Sequence, residues 1–289
     1  MDYIKNIATD EIRSGYLVTT DRKKQWNKLM AMLVTFDRIC QKHDICYYLT
    51  YGSLLGAVRH GGFVPWDDDI DIHVPRPGYE RLKAIMPAEL KPPLVYLPSF
   101  YTKHIIIDTG TLNTKVDIIP LDIDRNPNIS YSDEMELTFR TLEELVQMVL
   151  SPNHLAGMIL RGEYQPILPL PTLEKLAAAS PEYISQVHAE FALKHYHDSD
   201  YCNHYAELDL DGKRMGIRLH KAMPKDWFAK GQTILFEGLS FPCPVEIETV
   251  LKFWYHDWQI EKRYIGGHGL GLFSADLSEE EYQKELRDF

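Results

Sequence analysis

The chain is short of several things that would settle a function class at once. It has four cysteines, Cys40, Cys46, Cys202 and Cys243, with no CxxC pair and no zinc-site spacing, so the expectation is reduced, mostly buried thiols in a cytoplasmic protein. Apolar runs such as Ile105-Ile106-Ile107 are short, and no segment approaches the roughly 20 apolar residues of a membrane span. The start, Met1-Asp2-Tyr3-Ile4-Lys5, lacks the apolar stretch of a signal peptide. Positive charge is in deficit: 31 Lys and Arg stand against 42 Asp and Glu, a formal net charge of -11. Such an excess repels phosphate backbones and argues against nucleic acid as a partner. A small nucleotide remains bindable where a divalent cation bridges its phosphates to carboxylates. There is no internal repeat and no low-complexity linker.

What is present is ordinary globular material. With 289 residues and 45% hydrophobic content the chain can bury a large core. Over residues 21–43, Trp26, Leu29, Met30, Leu33, Phe36 and Cys40 recur at helical spacing, with Thr20 or Asp21 as the cap. Residues 46–49 read as a short strand, and 54–60 as a short helix ended by Gly61-Gly62. Residues 69–74 alternate strictly, as a strand with one polar and one apolar face does. A helix over 79–86 and strands over 104–108 and 115–119, with a hairpin at Gly110, complete an α/β (α+β) core. Helices are expected over 131–150, 153–161, 172–179 and 182–197, a hairpin around Gly238, a helix over 246–258, and a solvated helical tail at Glu279-Glu280-Glu281. The expected organisation is a single catalytic domain over 1–289. Within it, 21–125 forms the core, 130–230 a helical insertion, and 231–289 a part that completes the core.

The chemistry is concentrated in Trp66-Asp67-Asp68-Asp69-Ile70-Asp71. On a strand, residues two apart point the same way at roughly 7 Å spacing, so Asp69 and Asp71 share a face while Ile70 and Ile72 face a core. Two adjacent carboxylates repel unless a cation sits between them, and Mg²⁺ favours a few carboxylates plus phosphate oxygens. Asp117, polar between apolar neighbours in Lys115-Val116-Asp117-Ile118-Ile119, completes a three-carboxylate cluster if its strand lies beside the first. Gly52-Ser53, between a strand and a helix, offers backbone N–H groups to a phosphate. A bare acidic run is more often a solvated turn; the alternation, the upstream Gly-Ser and Asp117 reverse those odds. Other candidates are two-sided. Trp66 either stacks on a base or choline or packs beside Pro65. Arg59 and His60 either contact phosphate or cap a helix C-terminus. His73 either supports the acidic pair from the same face or is simply exposed. His195, His197 and His204 around Asp198 and Asp200 read as a solvated loop rather than a metal site.

The run from Tyr51-Gly52-Ser53-Leu54-Leu55-Gly56 through Gly61-Gly62-Phe63-Val64-Pro65-Trp66 to Asp71-Ile72 resembles the signature of the LicD family, which includes bacterial phosphocholine transferases and the fukutin-related proteins. Val116-Asp117-Ile118-Ile119-Pro120-Leu121-Asp122 resembles its second block, and Leu235-Phe236-Glu237-Gly238 onward to Tyr255 its weaker third block. The resemblance runs from about Trp26 to Asp122 and resumes near Ile234.

That resemblance implies a nucleotidyltransferase-like fold with Mg²⁺ as cofactor and Mn²⁺ as its substitute. It implies transfer of a phospho-alcohol from a CDP-linked donor to a sugar hydroxyl of a cell-surface glycan or teichoic acid precursor, the acceptor being in some cases lipid-linked. Phosphocholine is the first choice of cargo, ahead of ribitol phosphate and glycerol phosphate. Matched by position, Asp69 and Asp71 are metal ligands and Asp67 is a third ligand or stands behind them. Asp117 is the carboxylate of the neighbouring strand, and Gly52 and Ser53 form the phosphate-holding turn. Arg263 and His268 match a terminal Arg/His pair, though at loose spacing, and Tyr255 precedes His256 where the family often has Tyr-Gly. Two other classes stay open: a nucleotidyltransferase moving NMP from an NTP to a small molecule, and a non-catalytic glycan- or nucleotide-binding protein. The expected location is the cytoplasm, with at most transient contact at the inner membrane face. The aromatic helix carrying Phe253, Trp254, Tyr255 and Trp258 is either the docking element or, by the commoner rule, an ordinary core-packed helix.

Overall fold

The computed structural model describes residues 2–98, 103–107, 114–150, 152–203, 205–210, 214–219 and 222–261. A hairpin of β1 (Glu11–Arg13) and β2 (Tyr16–Val18) precedes the long helix α1 (Thr20–Lys42). The cap is Thr19, one residue before the expected pair: its hydroxyl accepts from the Arg22 amide at 3.2 Å. Then follow β3 (Tyr48–Leu49), α2 (Tyr51–His60), β4 (Ile70–Pro75), α3 (Arg76–Glu89), β5 (Leu94–Pro98), β6 (Lys103–Ile107) and β7 (Lys115–Asp124). The turn at Gly110 lies outside the described residues, but β6 and β7 pair antiparallel as a hairpin requires. The edge strand β5 was not legible in the sequence; it pairs with β6.

The mixed sheet is organised around β7. It runs parallel to β4, with Asp71 opposite Asp117 and Ile72 opposite Ile118. Its first half pairs antiparallel with β6, and its last three residues with β8 (Tyr201–Asn203). Strand β3 continues the sheet beyond β4, antiparallel. One face carries Ile70, Ile72, Val74, Val116 and Ile118 into a core filled by Trp26, Leu29, Met30, Leu33 and Phe36 of α1 and by Tyr79, Leu82 and Met86 of α3. Each such fully buried side chain stabilises the fold by about 1.5–3 kcal/mol, which is why the period-3.6 stripe of α1 and the period-2 stripe of β4 face one another.

After β7 come α4 (Asp133–Leu150), α5 (Pro152–Leu160), α6 (Leu170–Ala177) and α7 (Pro181–His195). Helices α4 and α7 pack on the end of β7 through Ile123, Phe139, Leu142 and Ala192, while α5 and α6 close a separate cluster with α4 and α7 through Leu145, Leu155, Leu173 and Ile184. The helical region is shorter than the expected 130–230: from Tyr201 the chain returns to strands, β8, then β9 (Tyr205–Leu210), β10 (Arg214–Leu219) and β11 (Met223–Pro224). β8 and β11 are too short to show a period of two, whereas β9 and β10, paired antiparallel over six positions, do alternate in sequence. Last come the hairpin of β12 (Thr233–Phe236) and β13 (Leu239–Pro242), turning at Gly238 with φ +82°, and α8 (Ile247–Tyr255). The acidic tail at 279–281 lies outside the described residues. Among the described residues no helix is long and apolar enough to cross a membrane.

Candidate active site

The carboxylates meet where β4 and β7 begin. Asp69 lies just before β4 rather than inside it, and Asp71 and Asp117 are directly paired across the parallel ladder. One oxygen each from Asp69, Asp71 and Asp117 lies within 4.8 Å of the others, and Asp67, Asp68 and Asp69 form a second such group sharing Asp69. All donors are carboxylate oxygens, the set that hard divalent cations prefer, and their mutual repulsion falls when a cation sits among them. The residues present fit a divalent metal. Asp68, 3% exposed, lies in the acidic run but was given no role in the sequence analysis. The approach to β4 is not yet a strand, so alternation does not govern it.

The loop and helix around the acids hold them in place. The Asp67 carbonyl accepts from the Trp26 indole N–H at 2.9 Å, and Trp26 itself is buried and stacked on Phe63 with centroids 4.8 Å apart. The Asp71 amide donates to Ser53 Oγ at 3.0 Å, and the Thr50 amide donates to the Asp71 carbonyl at 3.1 Å. Ser53 is buried, so its hydroxyl orients β4 against α2. Gly52 and Ser53 lie inside the first turn of α2, not in a turn before it; amides at that position have no intrahelical acceptor. A Cβ on Gly52 would sit 2.4 Å from Asp67 Oδ2, so only glycine lets that carboxylate lie against the helix start. Tyr51 opens the helix with φ +43°, a conformation that costs a bulky residue about 1–3 kcal/mol. Its ring packs on His73 at 5.2 Å and Trp254 at 4.4 Å between centroids.

Two further groups belong to the site and were not singled out in the sequence. Lys115, at the start of β7, binds Asp117 and stands 4.0 Å from Asp69 Oδ2. Burial alone would lower the Lys115 pKa, but Asp117, with help from Asp69 and Asp71, raises it above the usual lysine value. Tyr255, the last residue of α8, is 38% exposed as a whole residue, yet its phenol is held well above its ordinary pKa by burial and by the charges of Asp71, Asp67 and Asp69.

The remaining candidates separate. Trp66 is 8% exposed and meets Tyr16 edge-on at 6.0 Å. Arg59 donates to the carbonyls of Trp258 and Ile260 (2.7 Å to the latter), and His60 contacts Ser14 Oγ at 3.4 Å and Glu261 at 3.8 Å; both tie α2 to neighbouring segments. His73 is buried, not exposed, with Nδ1 3.1 Å from Thr50 Oγ1. Trp254 and Trp258 pack with Leu54, Val250 and Leu251, so α8 is a core-packed helix. His195 pairs with Asp198 at 2.6 Å on the surface. Arg263, His268 and His204 lie outside the described residues.

The far end of β7 carries a different polar cluster. Arg76, at the start of α3, forks onto Asp122, with its Nη2 2.8 Å from Oδ2, and also reaches Glu80 at 2.7 Å. His188 of α7 approaches Asp122 at 3.7 Å. Asp124 accepts from the Arg125 amide and the Asn203 side chain, both at 2.7 Å. Burial raises Asp124 to about 6, outweighing those bonds, and lowers His188 to about 4.

Residues 44–124 match the family model described as LicD/FKTN/FKRP, nucleotidyltransferase domain. That span holds α2, β4, β7 and all five acids, but neither α1 nor the segment from Ile234 onward. Over 52 residues the chain is 50% identical to the lipopolysaccharide cholinephosphotransferase LicD of Haemophilus influenzae, covering 18% of this chain and 20% of that protein. Uncharacterized proteins of Rickettsia prowazekii and Rickettsia typhi match at 46% over 59 residues and 34% over 65, covering 20% and 22% of this chain and 22% and 21% of theirs. The matched stretch thus spans about a fifth of each relative. The acids gathered at the start of β4 and β7, with α2 packed against them, lie within the matched span, so the likeness to the LicD domain covers the candidate site itself.

Proposed function

We propose that this protein is a divalent-metal-dependent phosphotransferase. In this reading it moves a phospho-alcohol, phosphocholine first, from a CDP-linked donor to a sugar hydroxyl. The observation that carries it is the convergence of Asp69, Asp71 and Asp117 within 4.8 Å at the start of α2, inside the matched domain. Asp69, Asp71 and Asp117 would hold Mg²⁺ or Mn²⁺, with Asp67 and Asp68 adjoining. When bound, the metal supplies charge stabilisation for the transferring phosphoryl group and the leaving CMP. The first-turn amides of α2 orient a phosphate by their partial positive charge. The sugar oxygen forms the new bond to phosphorus, the diphosphate P–O bond breaks, and CMP leaves with the electron pair. The hydroxyl proton passes to a carboxylate, Asp67 on the loop side or Asp117 on the strand side.

Likeness to the Haemophilus protein favours choline as the alcohol and a lipopolysaccharide sugar as the acceptor; a teichoic acid precursor is the other acceptor of the same chemistry. The reading places the protein at the cytoplasmic face, meeting a lipid-linked glycan transiently. The test incubates the protein with CDP-choline, CDP-ribitol or CDP-glycerol, a glycan acceptor and Mg²⁺, and scores CMP. Metal-dependent CMP release with labelled acceptor is the expected result. Pyrophosphate release from an NTP without any CMP would replace this reading by NMP transfer, which the description of the matched domain favours as the second reading. Turnover with neither would leave a binding protein.

A further inference from the structure

Lys115 is on the same strand face as Asp117, two residues away, and its ammonium is already among the acids, on Asp117 and 4.0 Å from Asp69 Oδ2. Its side chain is 26% exposed, so it is neither sealed in the core nor fully in solvent. The backbone beneath it is pinned, since Gln25 of α1 donates to Thr114 Oγ1 at 3.1 Å. A lysine head is a compact charge on a flexible stem, able to swing between acceptors as a guanidinium fork does not. The Asp117 oxygen that it binds, Oδ2, belongs to one of the three carboxylates that approach one another within 4.8 Å. An ammonium and a divalent cation therefore compete for Asp117.

We propose that Lys115 is an exchangeable internal cation: it holds the cluster when no metal is bound, releases Asp117 when a divalent cation enters, and then turns to the phosphate of the donor. The last step rests on the phosphotransferase reading; the first two do not. A lysine that merely fixes Asp117 in place predicts the opposite sign for its removal, because a loosened ligand binds metal more weakly.

The experiment titrates the metal-free full-length chain with Mn²⁺ by electron paramagnetic resonance and with Mg²⁺ by calorimetry, comparing wild type, Lys115→Met and Lys115→Arg. Lys115→Gln is the second neutral variant should Lys115→Met fold poorly by thermal melting. With the competing charge gone, the neutral variants should bind metal about tenfold tighter or more, while Lys115→Arg stays near wild type. A raised KM for the CDP-linked donor with a smaller change in kcat is the expected companion result. Unchanged or weaker metal binding in the neutral variants overturns the proposal and leaves the functional reading intact. Absence of divalent-metal binding in wild type and variants alike overturns both.

Discussion

Strand β7 carries two acidic sites of opposite design. At its start Asp117 joins Asp69 and Asp71, carboxylates crowded against one another, beside the start of a helix and with the Lys115 ammonium on Asp117. Five residues on, across the sheet, Asp122 is fully buried but forked by Arg76, with His188 close by, and Asp124 beside it is hydrogen-bonded by Asn203. The first cluster concentrates like charge and lowers its energy by taking up a cation. The second has its charge matched internally, so it offers nothing to a ligand and holds α3, α7 and the sheet together. Residue type does not separate the two; the charge balance of the neighbours does. A buried matched pair is costly to break from one side, whereas removing one member of a repelling cluster relieves the fold.

The largest expected effect is on the first cluster. Asp69→Asn and Asp71→Asn should each lower transfer by at least about a thousandfold with an unchanged or slightly raised melting temperature. Near-normal turnover in Mg²⁺ would remove the metal-ligand assignment. Asp122→Asn should do the reverse: it leaves the Arg76 guanidinium buried without the carboxylate it forks onto, costing about 3 kcal/mol, the lower end of the range for a broken buried pair. Denaturant titration reads this, and kcat of the remaining folded protein should be nearly that of wild type. Equal loss of stability in Asp69→Asn and Asp122→Asn would erase the distinction.

The second cluster also predicts a hidden pH dependence. Asp124 is raised to about 6 from 3.8, so the folded state holds the proton more tightly; its contribution is greatest below pH 4 and is lost as pH rises through 6. His188 is lowered to about 4 from 6.5, so its contribution is present above pH 6.5 and is lost as pH falls toward 4. The two slopes oppose one another in nearly one window. Asp124→Asn should leave stability rising with pH between 4 and 6.5, and His188→Gln should leave it falling between 4 and 6, each by up to about 3 kcal/mol. Equilibrium unfolding at half-unit pH steps decides it; slopes of the same sign in both variants would refute the pairing.

The smallest effect compares two glycines of α2. An added Cβ at Gly52 meets the end of the Asp67 side chain at 2.4 Å, while at Gly56 it meets the Gly62 carbonyl at 2.3 Å and the Val64 amide at 2.8 Å. Gly52→Ala should therefore displace a carboxylate and cost about tenfold in activity, with no loss of stability, since alanine favours a helix by up to about 1 kcal/mol. Gly56→Ala should lower the melting temperature by forcing backbone apart. Thermal scans beside the CMP assay separate the two, and a less stable Gly52→Ala would contradict the account.

Much of this site was legible because period two is unambiguous over a short stretch. Ile70, Ile72 and Val74 could face only a core, which set Asp71 and Asp117 on the other face, and the helical stripe of α1 was equally plain. Lys115 was missed because a lysine at a strand start reads as solvent-exposed, and Asp68 because it precedes the alternating stretch, where no period says which way a side chain points. Trp66, Arg59 and His60 read equally well either way in sequence; what the sequence could not show is that their contacts are with Tyr16, with the Trp258 carbonyl and with Ser14, all distant along the chain. Strands β8 and β11, with two or three residues each, are too short to leave a pattern, and the alternation of β9 and β10 was passed over within the helical reading of this region.

By itself the sequence determined the acidic motif, its strand periodicity and the absence of any long apolar span, because these depend on neighbours along the chain. Only the tertiary structure decided that Asp71 lies opposite Asp117 while Asp122 turns away to Arg76. Register between parallel strands is set by packing over a long connection, and whether a carboxylate is matched depends on partners tens of residues away.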